Sequence, residues 1–510
     1  HAHQIQLSVD YVLKAAGMLP SDVDLIVVNS LDLNLPRDPA EIEFRTSMER
    51  QAKRVWHVRD HHLLHAASTF YTSPFRDAAI LVADGMGMEL PEQTAAASKQ
   101  DQRFEAVSVF RGSENEINFI EGTTTTHCPY EFENEQISLG RFYSYGSKKI
   151  FSSRHDAGKV MGLAAFGNSE RIPSFLSQES PPIFDRSRLR DTFDLSCPKR
   201  HYWENRDLAA RIQSDLQLGL RYYWHRAFQI SNVQSLCVAG GVGLNCSANG
   251  ELWAERIFEK AHFFPAAGDD GIAVGAALHG HVNGLRKPRV RRRFSPYLGR
   301  TYTGNDVRAA VQSAGKLTGI SVQQLEPKEL IQQVAEDLKN GASVGWFQGR
   351  SEFGPRALGA RSILAAPFSS LMRDFINAEV KRREFYRPLA PVVLASDAHR
   401  YFEVDKEFAS PFMLLAVRVR KEWRSTFAAI VHVDGTARVQ TVERRDNALL
   451  FELLSVFGQM TGHPMLLNTS LNREDEPLVE QPSEAIRLFE DRPLTSLALE
   501  NWLLRKSDMN

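Results

Sequence analysis

Two apolar runs in this chain end on residues that cannot extend a strand. Ala78–Ala83 stops at Asp84-Gly85-Met86-Gly87, and Leu236–Ala239 runs straight into Gly240-Gly241. Short apolar runs bounded by such turns read as buried strands. Glycine there lets the backbone bend sharply and come close to a ligand. Between the runs, Leu208, Ile212, Leu216 and Leu220 recur every four residues and predict a helix through 205–228. Leu25–Val28 and Arg54–Val58 read as further strands, and Gln4–Ala16 as an amphipathic helix with Ile5, Val9, Val12 and Leu13 on one face. Strands alternating with helices imply an α/β architecture with parallel or mixed sheets.

The pattern breaks at Gly284–Ser295, GLRKPRVRRRFS, which carries a proline and six basic residues. No aromatic residues interleave as a nucleic-acid patch would require, so it reads as a solvated hinge between two domains, 1–293 and 294–510. Beyond it the sequence predicts a helix over Lys328–Leu338, a strand over Ala342–Phe347, and helices over Leu449–Met460 and Pro482–Leu488. A length of 510 residues is enough for two large domains, at roughly 100–200 residues each. The formal charge of −1 supplies no field to hold nucleic acid or an anionic membrane. Four cysteines without a CxxC pair fit a reducing cytoplasm. The chain opens on His1 and reads as a fragment or a processed piece.

Several clusters carry chemistry. His61 and His65 are four apart, so on a helix both imidazoles share one face and can share a metal. Asp84 ends a strand, and Asp269 or Asp270 opens the apolar helix Ile272–Gly280, where either would also serve as an N-cap. Two histidines with two aspartates make a nitrogen and oxygen site suited to Fe(II), Mn or Zn. Gly240, Gly241 and Gly243, leading to Asn245, follow a strand and precede a helix. They form either a phosphate cradle or a plain tight turn. Lys159 reads as an anion contact or an exposed helix lysine. In the second half, Arg350, Arg356 and Arg361 crowd a glycine-rich loop, with Lys381 and Arg387 farther on. Guanidinium groups grip phosphate oxygens bidentately, so this region reads as an anion site. Asn468 and Ser470 offer amide and hydroxyl groups to a polar ligand. With no secretory signal ahead of it, the sequon form of Asn468-Thr469-Ser470 is set aside. Thr123–Thr126 with His127 reads as a polar loop rather than a pocket for an acceptor.

In order along the chain, HHLLHAAS, ADGMG, GKVMGLAAFG, GGVGLNC, GDDG, GRSEFGPRALGARS, the Lys381-to-Arg387-Pro388 segment and NTSLN resemble the NodU/CmcH family of O-carbamoyltransferases, roughly from His61 to Ala485. The resemblance implies an actin- and sugar-kinase-like (ASKHA) first domain and a YrdC-like second domain. It implies that the second domain makes carbamoyl adenylate from carbamoyl phosphate and ATP with Mg, and that the first transfers the carbamoyl group to a small-molecule hydroxyl. His61, His65, Asp84 and Asp269 would hold Fe(II) or another divalent metal. Lys159, Gly240, Gly241, Gly243 and Asn245 would hold nucleotide. Arg356, Lys381 and Arg387 would be catalytic, with Arg350, His432, Arg438, Asn468 and Ser470 around the bound substrates. The expected partners are carbamoyl phosphate, ATP and a hydroxyl acceptor, with no nucleic acid or membrane, in a monomer or homodimer. An opening hairpin common to actin-like domains is expected to precede residue 1. Two rival readings are an actin-like ATPase or kinase, and a nucleotide-binding family member without turnover.

Overall fold

The glycine-terminated runs sit side by side at the centre of the first half. The structure, a computed structural model, describes residues 2–29, 46–90, 103–126, 137–177, 179–193, 201–314, 319–474 and 476–506. Strands β1 (Ile26–Asn29) and β2 (Val55–Val58) pair in parallel as a separate two-stranded sheet. Next come β3 (Asp77–Ala83), β4 (Arg103–Ser113), β5 (Glu116–Thr126), β6 (Ser235–Ala239) and β7 (Lys260–Phe263), which form one sheet in the order β5-β4-β3-β6-β7. β3, β6 and β7 are parallel, and β4 and β5 run antiparallel as a hairpin on one flank. The predicted central helix is Arg206–Ser231, and it buries Leu208, Ile212, Leu216 and Leu220.

The second half contributes β8 (Ile320–Gln324), β9 (Val344–Phe347), β10 (Arg361–Ala365), β11 (Ala390–Leu394), β12 (Ala416–Arg418), β13 (Thr436–Arg438), β14 (Gln440–Val442), β15 (Met465–Ser470), β16 (Ser496–Leu499) and β17 (Trp502–Lys506). Eight of these make a mixed sheet, β14-β11-β15-β10-β9-β16-β17-β8, and β12 and β13 pair separately. The predicted helices appear as Pro327–Lys339, Ala448–Thr461 and Pro482–Asp491. Glu326 and Gln481 each precede a proline and a capping-box glutamate, which fixes two of these starts. The architecture is α/β in both halves.

Two expectations need correction. Thr123–Thr126 is not a loop: it is the end of β5, with Thr125 opposite Phe104 and Thr126 opposite Arg103. His127 lies outside the described residues, as do Cys128 and Cys197, while Cys237 and Cys246 are free and buried. The Gln4–Ala16 helix is present as Ala2–Ala16, with Val9 and Leu13 of its apolar face half-buried and Val12 exposed. The second correction concerns the basic hinge, which is not simply solvated. Arg289 is buried and donates to the carbonyls of Phe70, Tyr71, Ser73 and Phe75, with its guanidinium 4.3 Å from the Phe70 ring centre. These carbonyls lie at the C-terminal end of the His61–Thr72 helix, where oxygens lack helical partners and a cation is favoured. Composition alone makes a basic run look solvent-seeking, but a guanidinium has five donors and can serve several carbonyls at a helix end. Arg289→Ala takes the guanidinium donor from the Tyr71, Ser73 and Phe75 oxygens, while Phe70 O keeps the Ser73 amide and hydroxyl, and is expected to cost about 2–4 kcal/mol, read as a lowered midpoint of thermal unfolding. A melting curve indistinguishable from the parent would show the cap to be idle.

The same segment reaches the second half through Arg293, which pairs with Asp446 at 2.6 Å. One apolar cluster also crosses the boundary, joining Val238 and Leu252 to Val417, Phe427 and Val439. Among the described residues no helix is long and apolar enough to cross a membrane.

Candidate functional site

Asp60 caps the His61–Thr72 helix by accepting the Leu63 amide at 2.7 Å, which starts the helix at His61. One turn later His65 lies on the same face, and the two Nε2 atoms are 3.2 Å apart. β3 brings Asp84 to them: Oδ2 is 3.3 Å from His61 Nε2 and 3.6 Å from His65 Nε2. The turn before Ile272 brings Asp269, with Oδ1 at 3.4 Å and 3.5 Å from the same atoms. All four ligand atoms lie within 4.8 Å of one another. Bonds of about 2.0–2.2 Å to a central ion would space neighbouring ligands by about 3.0–3.5 Å. The donor set fits a divalent cation on geometry and on chemistry. Asp270 does not join the cluster, and the sequence had left it as an alternative.

Charge locks the arrangement. Burial works against a cation at His61, but Asp269 and Asp84 raise it to about 9. Burial alone would raise the Asp84 carboxyl, yet hydrogen bonds from the two histidines hold it well below the usual carboxylate range. Hydrogen bonds from His61 and His65 take Asp269 down to about 2. His61 and His65 are buried, whereas the Asp269 side chain is exposed and forms the open side. The Nδ1 atoms of both histidines are buried with no partner among the described residues. Packing, not the hydrogen bond that usually fixes a ligating imidazole, orients these rings.

The glycine loop touches this cluster directly. Gly241 N donates to Asp84 Oδ1 at 3.1 Å. Gly240 has φ +87°, and a Cβ there would stand 2.3 Å from the Ala83 carbonyl, so only glycine fits. Gly243 abuts Val238. Asn245 is engaged within the protein: Oδ1 accepts the Ala248 amide at the start of the next helix, and both ends of its amide pair with Gln213. Both loops lie at the carboxyl ends of adjacent parallel strands, the usual place for ligands in open α/β sheets.

The second half presents cations to this region. Arg356, in the loop between β9 and β10, is within 3.4 Å of the Leu244 carbonyl. That loop is pinned by buried Glu352, which accepts the amides of Leu358, Ala360 and Arg361. Burial, Arg438 and Arg387 push Arg356 down to about 9. Burial together with Arg387 and Arg438 does the same to Arg383, also to about 9. Burial lowers Arg438 as well. Arg356 Nε, Arg438 Nε and Arg383 Nη2 are buried without acceptors among the described residues. Lys381 Nζ is held by Ser470 O at 2.9 Å, Ser470 Oγ at 3.2 Å and Asn472 O at 2.7 Å. Burial and the neighbouring Arg383 and Arg387 hold the Lys381 ammonium well below its ordinary range. Glu384 joins the halves, 3.1 Å from Lys159 and 3.5 Å from Arg387. Asn468 donates to Ala357 O and Gln440, while its Oδ1 is buried without a partner. His432 packs edge-on against Phe166, and its Nε2 is buried and unpaired.

The three loop arginines take separate paths. Arg356 joins the cluster and Arg350 is exposed. Arg361 is fully buried, stacks 3.5 Å from the Phe347 ring centre and bonds to Gln348, Gly349 and Ala360 carbonyls. Sequence reading missed Glu352, Arg383 and Glu384. The Lys381-Arg382-Arg383-Glu384 run was in view, but nothing in it told which of its side chains turn inward.

The profile described as Carbamoyltransferase N-terminus matches residues 39–278, and that described as Carbamoyltransferase C-terminus matches 335–506. Nodulation protein NolNO of Sinorhizobium fredii is 34% identical, over 98% of this chain and 74% of its own length. The 3'-hydroxymethylcephem-O-carbamoyltransferase of Amycolatopsis lactamdurans is 33% identical, over 69% of this chain and 65% of its own. A solved structure of HypF in the phosphate- and nucleotide-bound form overlaps with a TM-score of 0.36 at 12% identity, covering 55% of this chain and 50% of that one. With profiles for both halves and a relative matched along nearly the whole chain, this protein belongs to the carbamoyltransferase family and is an enzyme of that family.

Proposed function

We propose that the chain is an ATP-dependent O-carbamoyltransferase with two coupled centres, one in each of the domains 1–293 and 294–510. The observation that carries this reading is the group of half-buried Arg356, Arg383, Arg387 and Arg438 beside buried Lys381, in which Arg356 Nε, Arg383 Nη2 and Arg438 Nε are buried without acceptors among the described residues, while Glu384 and Glu474 are the nearby acids. Buried guanidinium nitrogens without acceptors, among cations that outnumber the nearby acids, are costly unless an anion completes them. Carbamoyl phosphate and the phosphates of ATP are such anions.

In the second domain, carbamoyl phosphate loses phosphate to water, and the resulting carbamate oxygen attacks the α-phosphorus of ATP. The bond to the β-phosphate oxygen breaks, pyrophosphate leaves and carbamoyl adenylate forms. Arg356, Arg387 and Arg438 would neutralise charge on the α-phosphate and the leaving group, a contribution commonly worth ~3 kcal/mol per well-placed donor. Asn468 and Ser470 line the same strand end and orient the carbamoyl group. In the first domain, the strand order β5-β4-β3-β6-β7 supports an actin-like, sugar-kinase-like core, with the 240–245 loop and Lys159 receiving the nucleotide. A divalent cation on His61, His65, Asp84 and Asp269 would supply Lewis-acid polarisation there when bound. The acceptor hydroxyl attacks the carbamoyl carbon and AMP leaves. The acceptor belongs to the class of small hydroxylated natural products, in line with the cephem substrate named for one relative.

The test is positional exchange of labelled pyrophosphate into ATP. Exchange that requires carbamoyl phosphate and proceeds without acceptor is expected. Production of ADP in place of pyrophosphate would instead identify an actin-like ATPase or kinase.

A further inference from the structure

A cavity of about 480 Å³ opens at the junction of the halves, at the end of the histidine helix away from its ligands. It touches Thr72 and Ser73, eleven residues from His61, or roughly 16 Å along the helix. Three segments close it: the helix end with β7, the linker, and residues 409–415. Its volume falls in the range of small-molecule pockets, which favour such junctions.

The lining has a marked division. The interior is apolar and aromatic, built by Phe75, Phe263, Phe294, Phe412, Leu414 and Leu415. Inside it stands one polar ring, His262. Burial and nearby Arg289 push it down to about 3, so it is neutral. Thr72 Oγ1 donates to Ser68 O at 2.6 Å, so it accepts from His262 Nε2 at 3.3 Å, which leaves Nδ1 as an acceptor. The rim carries Arg291, Arg292, Arg293 and Arg445. Arg291 pairs with Glu114, Arg293 with Asp446, and Arg445 with Glu443. Arg292 has no carboxylate partner among the described residues, so the rim keeps one positive charge over three neutralised ones.

We propose that this cavity binds a small organic anion with a flat apolar body, its ring system among the phenylalanines and its charged group at Arg292. The site is separate from the metal cluster and the arginine cluster, and it is formed only where both halves meet the linker. An occupant would therefore bridge the C-terminal end of the histidine helix to the second half.

Anilinonaphthalene sulfonate is a suitable probe, because it has this shape and charge, and phenylnaphthylamine is its uncharged counterpart. Fluorescence titration of the full chain is expected to show saturable binding of one sulfonate per chain, with the neutral compound about tenfold weaker. Arg292→Glu removes an exposed side chain and is expected to weaken the sulfonate by about tenfold while leaving the neutral compound unchanged. Ala409→Trp, also at an exposed position, plugs the mouth and is expected to exclude both. Circular dichroism confirms that each variant is folded. Unchanged sulfonate affinity in either folded variant, or equal affinity for the two probes, overturns the proposal.

Discussion

Arg356→Met is expected to abolish carbamoyl-phosphate-dependent pyrophosphate exchange while making the protein slightly more stable to heat. The two effects have one cause. Arg356 is half-buried beside Arg438 and Arg387, and its buried Nε has no acceptor among the described residues. In the free protein these like charges repel in a medium that screens them weakly. Methionine fills much of the same volume and removes the repulsion. The same charge is what would hold the phosphates of the bound substrates, so its loss should slow exchange by on the order of 10²–10³-fold. The unfolding midpoint should rise by about 1–2 °C, in the manner of sites that trade stability for activity. Loss of exchange together with a lowered midpoint would mean that Arg356 serves the fold and not the reaction.

Asp84→Asn is expected to separate the two half-reactions. The amide keeps the shape of the carboxylate but removes the charge that His61 and His65 face. Bound divalent metal, counted by elemental analysis, should fall from about one per chain to near zero. Carbamoyl transfer to an acceptor should drop by on the order of 10³-fold, equivalent to ~4 kcal/mol of barrier. Pyrophosphate exchange should persist, because the arginine cluster lies in the other half. Treatment of the parent protein with a chelator should reproduce this split, and readdition of metal should reverse it. A variant that loses exchange and transfer in equal measure would show that the two centres are not separable as proposed.

Much of the fold could be read from periodicity. The runs that became β3 and β6 are apolar on every residue because both faces of a central strand are covered, and their glycine ends mark where the chain leaves the sheet. The β4–β5 hairpin escaped notice because its strands lie at the flank and mix polar with apolar residues, as in Glu116–Thr126. The histidine and aspartate cluster was legible in part. Helical spacing pairs His61 with His65, and a strand end and a helix start make Asp84 and Asp269 or Asp270 candidate partners, but only the resemblance chooses Asp269, since convergence of distant loops leaves no local pattern. Side-chain direction was the least legible property. Arg350, Arg356 and Arg361 have similar surroundings in sequence, yet one is exposed, one faces other cations and one lies flat on Phe347. Glu352 decides this by gathering three amides into a turn, and no spacing rule announces a carboxylate in that role.

Arg289 carries a consequence for how such chains can be rearranged. It belongs to the connecting segment, yet it completes a helix of the first half, while Arg293, four positions on, grips the second. A gene cut just before this stretch would encode a first half whose histidine helix runs out into Tyr71, Ser73 and Phe75 carbonyls stripped of their guanidinium donor. Exchange of halves between relatives should therefore succeed only when the crossover point carries the segment with the amino-terminal partner and keeps an acid at position 446 to receive it.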